Sequence, residues 1–243
     1  MTLDRFEPRS LPLSSAPALG RGEAHVWFMQ IDGLPILDRQ PAARRSDALR
    51  RRRIGQRFLL RLLLGAYLGV PGRDVELARS AAGKPELNEA LRASGLNFNL
   101  SHAGALLAIA IAGDTPIGID IEPSARPLRA AALARRWFST EEANLVDRCS
   151  DEAGRTECLR RWSVREAVIK AQGGTIAEHL AQVRPSIDAP MRLERLPPGW
   201  KGPSDWDVRE ITGVQDILGF VAAPAPLRAV RGFSLALPDH RPN

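Results

Sequence analysis

Two pairs of residues in this 243-residue sequence have the types and the spacing for chemistry. The first lies in GIDIE, residues 118–122, near the end of the apolar stretch LNFNLSHAGALLAIAIAGDTPIGIDIEP, residues 96–123. In a strand, residues i and i+2 face the same way. Asp120 and Glu122 therefore project together, while Ile119 and Ile121 turn toward apolar packing. Two carboxylates on one face repel unless a cation lies between them, and a hard divalent ion such as Mg2+ takes oxygen ligands of this kind. Taken alone, a D-x-E is as readily a solvated strand end. The second pair lies in RRWSVREAVIK, residues 160–170, where Glu166 and Lys170 fall one turn apart on a helix face. On an exposed helix they would form an ion pair of little consequence. Trp162, Ala167 and Ile169 make this a packed helix, so the pair borders an internal groove. Glu166 would complete a metal site with Asp120 and Glu122. Lys170, one turn on, would reach phosphate oxygens beside it, a pyrophosphate–metal arrangement.

Weaker signals stand upstream. His102 follows a buried-looking strand with Ser101 beside it. The adjacency is not a nucleophile arrangement, and a lone histidine is more often structural, but His102 can donate to a phosphate. Lys84 sits in a Gly/Pro turn, where backbone and ammonium can face a ligand. The run Arg50–Arg53, with Arg57 and Arg61, reads mainly as a solvated helix face from which one or two guanidinium groups bind a peripheral phosphate.

The elements that must position these groups follow from the pattern of the chain. EAHVWFMQI (23–31) reads as a first strand, and 42–70 has helical period with a basic first half and an amphipathic second half. A short strand is expected at 74–79. Residues 97–100 form a short strand and 101–104 a tight loop. The segments 105–112 and 116–122 are then expected to pair as a hairpin around GDTP. A Pro-rich linker, EPSARPLR, leads to a helix in RAAALARRWF. A Ser/Thr-capped helix start follows at Ser139-Thr140-Glu141-Glu142, and then a strong helix over 155–172 ended by Gly173-Gly174. DWDVREI, ILGFVAA and GFSLAL are strand-like pieces of the last seventy or so residues, which carry no interpretable motif. The fold class expected is α+β, with a poorly ordered lead over 1–20, an N-terminal lobe over 21–122 and a C-terminal lobe over 123–243.

Composition narrows the class. Hydrophobic content of 44% and charged content of 26% are ordinary for a globular protein. No apolar run reaches membrane-spanning length, and the first twenty residues lack the pattern of a signal peptide. Two cysteines nine residues apart, Cys149 and Cys158, give neither a zinc site nor a disulfide scaffold. The cytoplasm is the expected location. The net charge of +6 suits a phosphorylated ligand, an acidic protein or nucleic acid. With 31 arginines to 3 lysines, that charge is also a matter of composition. Aromatics amount to 5% and none interleave with the arginines, which argues against a nucleic-acid-binding protein. Another Mg2+-dependent enzyme of phosphorylated substrates remains the alternative.

FNLSH (98–102), GIDIE (118–122) and WSVREAVIKAQGG (162–174), in this order and spacing, resemble the 4'-phosphopantetheinyl transferase superfamily. The length and the upstream GKP (83–85) resemble its Sfp-type branch. The resemblance implies two similar α+β lobes related by a pseudo-twofold, with coenzyme A in the cleft between them. It implies transfer of phosphopantetheine from coenzyme A to a serine of an apo acyl or peptidyl carrier protein, releasing 3',5'-ADP. A pseudo-dimeric chain can make the whole cleft alone, so a monomer is expected, and the composition and apolar run lengths above lead to no nucleic-acid or membrane partner. Carried over by position, Asp120, Glu122 and Glu166 become Mg2+ ligands and Lys170 the pyrophosphate contact. Ser101 and His102 fall near the 3'-phosphate of coenzyme A, and Gly83, Lys84 and Pro85 beside its nucleotide. Glu142 matches a proposed base for the attacking serine, with Glu141 as its rival, so Glu142, Glu166, Lys170 and His102 form the catalytic set. Arg52 fits the 3'-phosphate arginine if the helix is aligned through Arg61, and Arg57 is the alternative. One position departs: the residue before the metal-binding glutamate is usually Lys and here is Arg165, which keeps the charge but not the geometry.

Overall fold

In a computed structural model, residues 2–11, 13, 15–32, 34, 45–80, 83–189 and 191–236 are described. The chain is a mixed α+β fold with six α-helices among these residues. Its architecture follows from two strands whose alternate residues feed two different cores. Strand β2 (Glu23–Gln30) turns Trp27 and Met29 to one face and Ala24, Val26 and Phe28 to the other. Strand β6 (Leu106–Gly113) turns Leu107, Ile109 and Ile111 one way and Ala108, Ala110 and Ala112 the other. The large-residue face receives helix α1 (Arg45–Leu68) through Leu59, Leu60, Leu63 and Leu64, all buried. Each such leucine contributes roughly 1.5–3 kcal/mol on burial. The alanine face lets a second sheet approach closely.

The first sheet has five strands in the order β1-β12-β2-β6-β5, with β1 (Phe6–Ser10), β5 (Leu96–Ala103) and β12 (Ala229–Ala236). The β1–β12 and β12–β2 pairs are parallel, and the β2–β6 and β6–β5 pairs antiparallel. The second sheet is antiparallel, in the order β10-β11-β7, with β7 (Gly118–Pro123), β10 (Asp207–Ile211) and β11 (Ile217–Ala223). Ile119 and Ile121 of β7 and Val221 and Ala223 of β11 pack toward the first sheet. The opposite face of β11, with Leu218, Phe220 and Ala222, packs on Leu159, Val164, Ala167 and Val168 of helix α5 (Asp151–Gln172). The layers are therefore α1, five-stranded sheet, three-stranded sheet, α5. Two small hairpins, β3 (Leu77–Arg79) with β4 (Pro85–Leu87) and β8 (Arg184–Pro185) with β9 (Leu193–Arg195), lie outside the two main sheets. The short helices are α2 (Glu89–Arg92), α3 (Ala130–Trp137), α4 (Thr140–Arg148) and α6 (Ile176–His179). No helix of the described residues is long and apolar enough to cross a membrane.

Three sequence expectations change. The hairpin is β5–β6, turning at Gly104–Ala105, and not 105–112 with 116–122. The turn at 113–115, where Asp114 takes a φ of 56°, sends β7 across to the other sheet. The lead over 1–20 is not without structure: β1 pairs in register with β12 from Phe6↔Gly232 to Ser10↔Ala236. A division at 122/123 does not follow the sheets either, because β12 returns to the first sheet and β7 belongs to the second.

Candidate functional site

The approach of α5 to β7 builds the site. Gly118 opens β7, and a Cβ there would lie 2.0 Å from the carbonyl oxygen of Ala167 and 2.4 Å from the backbone nitrogen of Ala171. Only glycine on the strand permits this contact. Strand alternation then aims Asp120 and Glu122 at α5, where Glu166 and Lys170 lie one turn apart. Asp120, Glu122 and Glu166 each bring a carboxylate oxygen to a common point, all within 4.8 Å of one another. Lys170 Nζ donates to Asp120 Oδ1 at 2.6 Å and lies 3.3 Å from Glu166 Oε2. Arg126, four residues past Glu122 on the loop after β7, pairs with the Glu122 carboxylate.

Ser101 is part of this cluster, but not as expected. Its hydroxyl donates to Asp120 Oδ1 at 3.1 Å and accepts the backbone N–H of Ile121 at 3.2 Å, with Lys170 Nζ 3.4 Å away. Two residues earlier, Asn99 Oδ1 accepts the N–H of Ile119 at 3.0 Å. Asn99 and Ser101 thus give β7, on the side away from β11, side-chain acceptors in place of a backbone ladder, and seam the two sheets together. Ser101 is buried and turned inward to Asp120.

Crowded carboxylates carry the electrostatic mark of the site. Burial, then the Asp120 charge, pushes Glu122 up to about 7, against the pull of Arg126. Glu166 is raised for the same two reasons, against Lys170 and Trp162. Burial alone would lower Lys170, but Asp120 and Glu166 hold it raised. Asp120 Oδ2 is buried with no hydrogen-bond partner. A buried, unpartnered carboxylate oxygen beside two further carboxylates suits a hard divalent cation with oxygen ligands, so these residues fit Mg2+.

The other candidates divide. His102, next on β5, has an exposed side chain; partial desolvation of its ring, then the charges of Lys170 and Arg52, lower its pKa. Lys84 donates to the carbonyl oxygen of Lys170 at 3.0 Å, tying the β3–β4 turn to the last turn of α5. Burial and Lys170 lower its pKa. Gly83, at a φ of 78°, makes that turn. Pro85 lines a cavity of about 650 Å³ between α1 and the β3–β4 hairpin, together with Arg50, Arg53, Arg57 and Arg79. Arg57 therefore faces this basic cavity, whereas Arg52 pairs with Asp32 at 3.2 Å.

Glu142 is held in a buried network of ion pairs. Its side chain closes a capping box with Ser139 at the start of α4, and both carboxylate oxygens take Arg165 Nη2 at 2.7 Å. Arg161 adds a bond at 3.1 Å. Burial would raise Glu142, but Arg165 and Arg161 hold it below the usual carboxylate range. Arg165, the departure from the usual lysine, pairs with Glu142 here, with its guanidinium 4.2 Å from the Phe138 ring centre. Glu141, the rival, is exposed on the first turn of α4. The sequence motifs do not announce the roles of Asn99 and Arg126 or the Arg161–Glu142 bond. Arg126, four residues after Glu122 in the Pro-rich linker, was the visible signal.

A family model described as 4'-phosphopantetheinyl transferase superfamily matches residues 116–212, which hold Asp120, Glu122, Glu166 and Lys170. One described as 4'-phosphopantetheinyl transferase, N-terminal, matches residues 41–114. The chain is 34% identical over 168 residues to 4'-phosphopantetheinyl transferase HetI of Nostoc sp., covering 64% of this chain and 71% of that one. The chain belongs to the 4'-phosphopantetheinyl transferase superfamily. This transferase is also 33% identical over 181 residues to 4'-phosphopantetheinyl transferase psf-1 of Bacillus pumilus, covering 72% and 73% of the two chains, which fits the Sfp-type branch. Human L-aminoadipate-semialdehyde dehydrogenase-phosphopantetheinyl transferase is 27% identical over 146 residues, with 57% of this chain and 47% of the human one covered.

Proposed function

We propose that the protein transfers the phosphopantetheine group of coenzyme A to a serine of an apo acyl or peptidyl carrier protein, with release of 3',5'-ADP and dependence on Mg2+. The observation that carries this reading is the buried, unpartnered Asp120 Oδ2 set among Glu122, Glu166 and Lys170. Asp120, Glu122 and Glu166 would hold Mg2+, which when bound neutralises pyrophosphate charge. Lys170 brings an ammonium to the same oxygens. The serine oxygen bonds to the β-phosphorus, the bond from that phosphorus to the bridging oxygen breaks, and 3',5'-ADP carries the bridging oxygen away. The serine proton needs an acceptor. Glu142 is engaged in ion pairs with Arg161 and Arg165, which favours the exposed Glu141 of the same motif as that acceptor.

In the same reading the 3'-phosphate and nucleotide of coenzyme A occupy the arginine-lined cavity that Pro85 and Leu100 help to line, with Arg57 favoured over Arg52 as the phosphate ligand and His102, two residues past Leu100 on β5, as a further candidate. The cleft lies between two similar lobes related by a pseudo-twofold. One chain supplies every group of the acidic cluster, in keeping with a monomer, and the cytoplasm remains the proposed location. The test is the intact mass of an apo carrier protein incubated with this protein, coenzyme A and Mg2+, with an EDTA arm. A gain of one phosphopantetheine that EDTA abolishes is expected. No gain on any carrier, with no calorimetric binding of coenzyme A, would move the reading to another Mg2+-dependent enzyme of phosphorylated substrates.

A further inference from the structure

We infer that Trp162 is a positioning residue for the metal centre: its indole N–H fixes the Glu166 carboxylate for cation binding. The inference rests on the metal reading above. Trp162 lies one turn before Glu166 on α5, and Nε1 donates to Glu166 Oε1 at 2.6 Å. An indole nitrogen is a donor only, so the direction of this bond is fixed. Each of the three carboxylates is anchored differently. Ser101 and Lys170 hold Asp120 Oδ1, Arg126 holds Glu122, and Glu166 has Lys170 on Oε2 and Trp162 on Oε1. The indole therefore claims one oxygen of Glu166 without bringing a positive charge. A second cation there, beside the Lys170 ammonium already on Oε2, would compete further with the metal for the same carboxylate, whereas a neutral donor orients it without adding positive charge. The ring itself is half-buried against the α5 core, so the indole is held by packing on one side and points its N–H at the carboxylate on the other.

Donors that orient metal ligands typically change metal affinity by about 10–100-fold when removed. The test separates the donor from the packing. Trp162→Phe keeps most of the ring and loses the N–H. Trp162→Gln loses the ring but places an amide N–H at the same i, i+4 spacing. Trp162→Leu loses both. The readout is Mn2+ binding to the full chain, followed by the electron paramagnetic resonance signal of free Mn2+, with a thermal melt of each variant alongside. The expected result is Mn2+ affinity about 10-fold weaker in the Phe and Leu variants, with the Gln variant closer to the original protein than either. If the Phe variant does not fold, the Gln–Leu comparison decides, since both lack the ring. A Phe variant that binds Mn2+ like the original, or Gln and Leu variants weakened equally, would overturn the inference. Absence of Mn2+ binding in the unaltered protein is a different failure, which removes the metal reading and this inference with it.

Discussion

Asp120 meets two demands with two oxygens. Oδ1 is tied to Ser101 and Lys170, which fixes the side chain, while Oδ2 is left bare in a buried place. Lys170 is central to the same logic, since it holds Asp120 and Glu166 apart from mutual repulsion and faces the proposed pyrophosphate. Lys170→Met is expected to lower kcat/KM about 10²–10³-fold at saturating Mg2+, measured by carrier mass gain over time. A loss below about threefold would remove Lys170 from the reacting centre. Ser101→Ala distinguishes seam from ligand. As a seam residue it leaves the Ile121 N–H without its acceptor, a cost of about 1–3 kcal/mol in urea unfolding, with the preference for coenzyme A over dephospho-coenzyme A unchanged. A selective loss on coenzyme A alone would return Ser101 to the 3'-phosphate.

At the scale of elements, α5 and β7 are legible in the sequence because each has a strong period and adjacent punctuation. Helix α5 ends where Gly173 takes a left-handed φ of 79°, and β7 shows its alternation in five residues. Their mutual approach was not legible, because it rests on the absence of a side chain at Gly118 and on two alanines a turn apart. Gly118→Ala is expected to destabilise the fold by about 3 kcal/mol or more, read as a drop in denaturation midpoint, and to weaken Mn2+ binding with it. An unaffected midpoint would contradict the contact. The crossing of β7 out of the first sheet was also hidden: alternating residues look alike whichever sheet they join. The α4–α5 junction makes a separate prediction. Because Arg165 and Arg161 depress the folded-state pKa of Glu142 below its ordinary 4.5, the pair contributes fully above that value. Its contribution is lost as pH falls through the depressed value. Glu142→Gln should cost about 3–5 kcal/mol at neutral pH by leaving buried guanidinium charge uncompensated, and should flatten the acid limb of stability against pH. An acid limb as steep as in the unaltered protein would place that dependence elsewhere.

Across the whole molecule, the first and last strands meet: β12 lies between β1 and β2 in the five-stranded sheet. The sequence announced GFSLAL as a strand, but nothing local told that it pairs in parallel with residues more than two hundred positions earlier, since such pairing depends on the closed chain path. Truncation before β12 should therefore leave an unfolded or aggregated product, seen by loss of the cooperative melt, and a folded truncation would contradict the topology. The layered order of helix, sheet, sheet and helix holds one acidic face of β7 against one face of α5, the contact proposed to carry metal-dependent transfer. The most direct measurement is carrier-protein mass gain with Glu166→Gln beside the unaltered protein, at saturating coenzyme A and Mg2+, after matching melts. Full conversion by the unaltered protein is expected, with a loss of about 10³-fold or more in the variant. Substantial turnover by a folded Glu166→Gln protein would contradict it.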